Sequence, residues 1–230
     1  MKNLITSLFI TCTLFICTDQ VQAQTTKTSK PVSQQTPTEK TRRFLLRYVA
    51  FADTASSEEG RDKIIKGIEM VANTAMDDWF SQYYAAFYNA ISASRKTDTA
   101  QARIQLDRAE TYIKLAEKLN PKESEIILVR GMIKGIRIGK NPALGEKLGP
   151  DCMNDYNEAL KLNAENPRAY LVLGESYTYM PEEAGGGKKK AKEMLKLADK
   201  KYANDKHDDP AWPKWGQDRV KMLLAELEKN

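Results

Sequence analysis

Histidine and cysteine are scarce in this chain of 230 residues, which has one histidine and three cysteines. A metal site built from imidazoles needs several of them, so the composition excludes a histidine-built metal centre. Charge of one sign is also scarce: 36 lysines and arginines face 31 aspartates and glutamates, and a net charge of +5 gives no reason to expect a nucleic-acid partner. With 41% hydrophobic residues and only 12 glycines and 9 prolines, the chain is neither disordered nor collagen-like.

The first 23 residues have the pattern of a secretory signal peptide. Lys2 precedes an apolar run from Leu4 to Cys17, and Ala23 offers a small residue at the cleavage position. The run is shorter than the roughly 20 residues that a membrane-spanning helix requires. We therefore expect export to the periplasm with cleavage after Ala23. The alternative is a lipid anchor at Cys17, although Ile16 is bulkier than the residue that lipoprotein signal peptidases prefer.

Residues 24–41 are rich in Thr, Ser, Gln, Lys and Pro and contain almost nothing to bury. Such a stretch does not offset its ordering entropy, so it is predicted to be a flexible linker. The folded domain is expected to cover residues 42–230. Removal of the signal peptide would leave Cys152 as the remaining cysteine, so this domain must be stabilised by packing rather than by an intrachain disulfide.

From Arg42 onwards the apolar residues have helical spacing, and no alternating strand pattern of useful length occurs, so the fold class is predicted to be all-α. In the clearest helix, residues 99–119, Asp98 or Thr99 can cap the start, and Pro121 stops the helix. Ser56 and Glu59 make a plausible capping box for an earlier helix. The predicted helices cover residues 42–54, 58–74, 77–94, 99–119, 124–139, 151–162, 167–180, 187–203 and 215–228.

The sequence also repeats itself at an interval of 43 residues. Tyr84, Ile127 and Tyr170 are equally spaced. Two further sets of equivalent positions are Tyr88, Gly131 and Gly174 on the same helices, and Ile113, Tyr156 and Leu195 on the helices that follow. Each copy consists of two helices, and because one helix pair cannot bury its own apolar face, stacked copies are expected to share a continuous core.

The segment from Ala159 to Tyr177 resembles the junction between two tetratricopeptide repeats. That motif places an aromatic residue, Leu-Gly and then Tyr on its first helix, and Tyr170, Leu173-Gly174 and Tyr177 match it. The likeness covers residues 79–203, and segments 181–188 and 215–216 resemble those of exported tetratricopeptide-repeat proteins of Bacteroidetes. The interval of 43 residues exceeds the family's, about 34, because the loops 139–150 and 181–187 are long.

This resemblance implies a right-handed α-solenoid of three to four helix pairs, closed by a C-terminal capping helix. It also implies a non-enzymatic scaffold of the bacterial cell envelope, which binds a segment of a partner protein in its concave groove. The groove positions that carry over from the family are Gln82, Ala85, Asn89, Glu125, Leu128, Met132, Arg168, Leu171, Glu175 and Tyr179.

A second hypothesis is a carbohydrate- or lipid-binding component of the envelope, which would use Trp212, Trp215 and the lysine-rich helix 188–201. The basic patch of that helix consists of Lys188, Lys189, Lys190 and Lys192. No pattern resembles an active site, since His207 is a lone histidine and Cys152 lies on a packed repeat position. We expect no catalytic residue, no metal, no cofactor and no nucleic acid. The expected partner is a protein or peptide segment, with an anionic envelope surface as the alternative.

Overall fold

The computed structural model describes residues 37–52 and 54–229; the predicted signal peptide, including Cys17 and Ala23, lies outside this part, as does most of the predicted linker. The described residues form nine α-helices and two short 3₁₀ turns, without any strand. The α-helices are α1 (Pro37–Ala52), α2 (Glu58–Thr74), α3 (Trp79–Arg95), α4 (Thr99–Leu119), α5 (Ser124–Lys140), α6 (Gly145–Leu162), α7 (Pro167–Tyr179), α8 (Lys188–Tyr202) and α9 (Gln217–Lys229). The predicted all-α class is confirmed.

Two helices begin earlier than the sequence pattern predicted. Helix α1 begins at Pro37, because proline is tolerated in a first helical turn, so residues 37–41 of the predicted linker are helical. Helix α6 begins at Gly145 and contains Pro150, so the second half of the predicted loop 139–150 is helical. Pro150 is the sixth residue of the helix, so it forgoes one intrahelical hydrogen bond to the carbonyl four residues earlier.

The start of α2 corrects the predicted capping box. Ser57, rather than Ser56, is the N-cap, and its hydroxyl accepts a hydrogen bond from the backbone N–H of Gly60 at 3.1 Å. At α4 the prediction allowed two caps, and Asp98 is the one used: its carboxylate accepts from the N–H groups of the first turn. Caps of this kind satisfy N–H groups that have no partner within the helix.

Consecutive helices pack against each other, and α1, α3, α5 and α7 also contact one another in chain order. Two glycines allow the close crossings. A Cβ at Gly131 would lie 2.7 Å from Cε1 of Tyr156, and a Cβ at Gly174 would lie 2.7 Å from Cγ of Leu195. Because Tyr156 and Leu195 are equivalent positions of the sequence repeat, the two copies pack their helices in the same way.

Residues 203–216, which we call the strap, connect α8 to α9 and return to the earlier helices. Trp215 contacts all three apolar clusters of the described residues. Its ring stacks on Phe87 with centroids 4.8 Å apart, and its Nε1 donates to the hydroxyl of Tyr83 at 2.8 Å. Trp212 packs edge-on against Trp79. The strap therefore ties the C-terminal part of the fold to α3.

A salt bridge fastens α1 to the same region. The guanidinium of Arg42 bonds to Asp78 at the start of α3 at 2.8 Å and to Asp209 of the strap at 3.1 Å. Burial alone would lower the pKa of Arg42, but these two carboxylates raise it overall. None of the described helices combines the length and the apolar character that crossing a bilayer would require.

Candidate functional site

A large cavity opens beside α3, α5 and α7, which we call the inner helices. Its volume is about 1400 Å³, which exceeds the roughly 300–1,000 Å³ typical of small-ligand pockets. Its walls come mainly from α2, α3, α5, α6 and α7, with the end of the strap and the first turn of α9 completing them. Helices α4 and α8 contribute no lining residue, which is consistent with their position on the outer side of the helix pairs.

Aromatic rings and methionine side chains form much of the wall. The aromatic residues include Phe87, Tyr88, Tyr156 and Trp215, and the methionines are Met132, Met153 and Met180. Aromatic faces stack on flat ring systems, and the flexible thioether of methionine adapts to irregular ligand shapes. The wall is therefore suited to a large, flat and mainly apolar molecule.

Glycines of α5 and α6 leave room on one side of the cavity. Gly139 and Gly149 both line it, and a Cβ built at either position would meet no atom within 4 Å outside the glycine's immediate chain neighbours. These glycines differ from Gly131 and Gly174, whose missing side chains admit a neighbouring helix. Sequence reasoning missed this side of the cavity, although the spacing of four residues between Gly135 and Gly139, and again between Gly145 and Gly149, was a usable signal.

Two buried groups of the wall keep their protons at neutral pH. Burial raises the pKa of the Cys152 thiol and raises that of the Tyr156 phenol well above its usual value. Sγ of Cys152 donates to the backbone oxygen of Gly131 at 3.3 Å. Neither group therefore offers an anion to a ligand at neutral pH.

Histidine does not line the cavity. His207 lies instead beside a smaller cavity of about 150 Å³, where its ring stacks on Trp212 at 4.0 Å and its Nε2 is 2.9 Å from Oδ1 of Asp205. The described residues contain no group of three or more His, Cys, Asp or Glu side chains arranged to hold a metal ion.

The predicted groove residues divide into two sets. Four of them, Met132, Leu171, Glu175 and Tyr179, line the cavity; Tyr179 is 81% exposed, whereas Leu171 is 1% exposed and belongs to the core. The others are buried and are not available to a partner segment: Gln82, Ala85, Asn89, Glu125, Leu128 and Arg168. This corrects their assignment as groove contacts, and the physical reason is that the inner helices and the strap cover them.

Arg168 shows what these buried residues do. Its side chain is 1% exposed; Nε donates to Glu125 at 2.8 Å and Nη1 to Asp205 of the strap at 2.6 Å. Burial alone would lower the pKa of Arg168, but the charge of Glu125 and the hydrogen bond to Asp205 raise it overall. The second oxygen of Glu125 accepts a hydrogen bond from Tyr83 at 3.2 Å. The network anchors the strap to α5 and α7.

The predicted basic patch lies at the start of α8. Lys188, Lys189 and Lys190 are exposed, whereas the ammonium of Lys192 is 3.8 Å from the Glu228 carboxylate. The two tryptophans of the second hypothesis do not share this surface. The backbone oxygen of Trp215 accepts from Tyr202 at the opposite end of α8, and its ring faces the cavity and the apolar clusters.

Comparison with known proteins gives one informative result. No protein-family model matches the chain, and no curated protein matches its sequence. Among solved structures, the chain is similar to the HusA haemophore from Porphyromonas gingivalis, with 26% sequence identity and a TM-score of 0.74. The match covers 85% of this chain and 96% of the haemophore chain. The similarity of fold therefore extends over nearly the whole haemophore chain.

Proposed function

We propose that this chain is an exported, non-enzymatic binding protein that holds haem in the large cavity of the inner helices. The observation that carries the proposal is the cavity itself: about 1400 Å³, walled by aromatic rings and methionines. The likeness to the HusA haemophore supports it. Haem is cargo in this proposal, which is compatible with the expectation of no resident cofactor.

The chemistry of the wall fits a porphyrin. The ring is flat and apolar over most of its surface, and stacking on Tyr88 or Trp215 would contribute about 0.5–1.5 kcal/mol for each aromatic contact. Tyrosine oxygen and methionine sulfur are among the haem ligands that proteins use. Because Tyr156 and Cys152 stay protonated, apolar contact rather than an anionic iron ligand from these two residues is expected to supply most of the affinity.

The finer statements on architecture and location belong to the same proposal. Contacts between successive odd-numbered helices and the packing of α9 on α8 support a tetratricopeptide-like right-handed solenoid with a C-terminal cap. The signal-peptide pattern at the start of the chain supports export to the periplasm or the envelope. A haem carrier outside the cytoplasm would be consistent with both.

Titration of the full chain with iron(III) protoporphyrin IX tests the proposal. Binding is expected to quench tryptophan fluorescence, since Trp215 lines the cavity, and to shift the Soret absorbance. Gly139→Phe should weaken binding by about tenfold or more, because the new ring projects into space that the ligand needs. Gly139→Ala, which adds one methyl group at the same site, is the matched control. Equal affinities for Gly139→Phe and the native chain would refute the assignment of haem to this cavity.

Binding of a partner at the envelope remains a second proposal, favoured by the exposed lysines of α8. A triple Lys188→Gln, Lys189→Gln, Lys190→Gln variant should then lose binding to vesicles of anionic phospholipid while its affinity for iron protoporphyrin is unchanged. Native binding to such vesicles that is equal to binding to neutral vesicles would count against this role.

A further inference from the structure

The charge on the cavity wall is unevenly distributed. Three arginines and one glutamate are its charged residues. At one end, Nε of Arg219 donates to Glu175 at 2.7 Å, so the charge of this arginine is compensated. At the other end stand Arg61, on α2, and Arg95, in the last turn of α3. This second end carries positive charge that no wall carboxylate balances.

The two arginines of this end differ from the cations around them. Nη1 of Arg61 donates to the backbone oxygens of Ala55 and Ser56, at 3.2 and 3.0 Å, and the guanidinium has no salt bridge with a described residue. Arg95 is exposed and makes no hydrogen bond or salt bridge with the described part of the chain. Both guanidiniums therefore retain donors for a ligand.

The neighbouring lysines already have partners. Lys96 bonds to Glu58 and to one oxygen of Asp62 on α2; the other oxygen of Asp62 is buried without a hydrogen-bond partner, and the charge of Arg61 also acts on Glu58. The ammonium of Lys140 donates to the backbone oxygens of Ser94 and Lys96, at 2.8 and 2.6 Å. A cation at the C-terminal end of a helix is stabilised by the helix dipole by only about 0.3–1 kcal/mol. At the end of α3, the ammonium of Lys140 already makes this interaction. The helix dipole therefore does not explain why Arg95, a second cation at the same helix end, lines the cavity without a salt bridge.

We propose that Arg61 and Arg95 form a carboxylate-binding subsite, which fixes the orientation of the ligand in the cavity. This inference rests on the proposed function, since the two carboxylates of a porphyrin diacid are the groups that would be bound. Guanidinium groups bind carboxylates through paired, charge-assisted hydrogen bonds. The carboxylate edge of the ring lies at the α2–α3 end, and the apolar edge points towards the charge-compensated end at Arg219 and Glu175.

A comparison of two probes tests the orientation. Iron(III) protoporphyrin IX carries both carboxylates, and its dimethyl ester keeps the ring but loses both charges. For the full chain, Arg95→Gln and Arg61→Gln should each weaken binding of the diacid by about tenfold and binding of the diester by less than about twofold. Arg103→Gln is the charge-matched control, because Arg103 is an exposed residue of α4 outside the cavity; it should leave both affinities unchanged.

Each other outcome overturns the inference in a recognisable way. Equal losses for diacid and diester in Arg61→Gln and Arg95→Gln would mean that these residues only support the fold. A diacid-specific loss confined to Arg219→Gln would place the carboxylates at the opposite end. If the native chain binds neither probe, the proposed function itself fails, whereas tight binding of both probes without discrimination removes only the subsite.

Discussion

Cys152 combines a position on the cavity wall with low accessibility, since it is 5% exposed and burial raises the pKa of its thiol. Because the thiolate is the reactive form, iodoacetamide should alkylate native Cys152 at pH 8 about tenfold or more slowly than the same residue in urea. The native rate should keep rising above pH 9, where an exposed thiol is already mostly ionised. Mass spectrometry of the peptide that contains Cys152 gives both rates.

Bound iron protoporphyrin adds a control to this experiment. A ligand in the cavity should slow the native reaction further, while the rate in urea stays the same. A native rate at pH 8 equal to the rate in urea would contradict the burial of this thiol.

The guanidinium of Arg168 is buried between carboxylates from two parts of the chain. Arg168→Met should lower the free energy of unfolding by about 3–5 kcal/mol, because it leaves Glu125 charged and buried without its partner. The double variant Arg168→Met, Glu125→Leu should recover part of this loss, since Glu125 is then no longer buried without a partner, whereas Asp205, 12% exposed, keeps only its contact with His207. Urea denaturation measures all three chains.

An exposed salt bridge provides the reference for the Arg168 variants. Lys114 and Glu110 of α4 form an exposed pair four residues apart, and Lys114→Met should cost no more than about 0.5 kcal/mol. Similar losses for Arg168→Met and Lys114→Met would show that Arg168 is hydrated rather than buried.

Gly174 lies at a close helix crossing, whereas Gly139 faces open space, so the two glycines together test how closely α7 and α8 pack. In Gly174→Ala the new methyl group would lie 2.7 Å from Cγ of Leu195 and 3.3 Å from the backbone oxygen of Ala191, so α7 and α8 must separate. We expect a loss of about 1–3 kcal/mol in the free energy of unfolding. Gly139→Ala adds the same group in open space near the end of α5 and should be neutral or stabilising by up to about 1 kcal/mol. Thermal denaturation of both variants checks the contrast, and a neutral Gly174→Ala would contradict the close crossing.

The elements that the sequence predicted well are those set by local periodicity. Helices α2 and α4 have the expected bounds because apolar spacing and capping residues act within one helix. The early start of α6 was missed because proline usually ends a helix, whereas Pro150 is the sixth residue of this one. The repeat also singled out Gly131 and Gly174, which lie at close helix crossings, although Tyr88 occupies the equivalent position of the first copy.

The candidate site was predicted less well because it depends on distances between elements. The family resemblance assigned Glu125 and Arg168 to the concave face, but it did not indicate that the strap returns to cover Arg168 with Asp205. Similarly, Gly139 and Gly174 look alike in the sequence, yet one faces open space and the other a neighbouring helix. The separation of the helices decides between these outcomes, and the sequence pattern carries no direct information about it.

At the scale of the whole molecule, the walls of the cavity extend along most of the described chain, from Arg61 on α2 to Arg219 on α9. Repeat architectures are stabilised mainly by contacts between neighbours, so their ends can unfold separately. Here two connections oppose that tendency. The strap joins the C-terminal part to α1 and α3, and a bound ligand would bridge the inner helices directly.

Ligand binding should therefore stabilise the chain as one unit. At a free concentration of iron protoporphyrin about 100 times the dissociation constant, the free energy of unfolding should rise by about 2.7 kcal/mol, and for a domain of this size Tm should rise by roughly 5–10 °C. Because the wall spans α2 to α9, circular dichroism of the helices and fluorescence of the tryptophans should shift together. Gly139→Phe should show a much smaller shift at the same ligand concentration. A rise in the fluorescence transition alone would mean that the ligand contacts only the region of the strap and does not connect the inner helices.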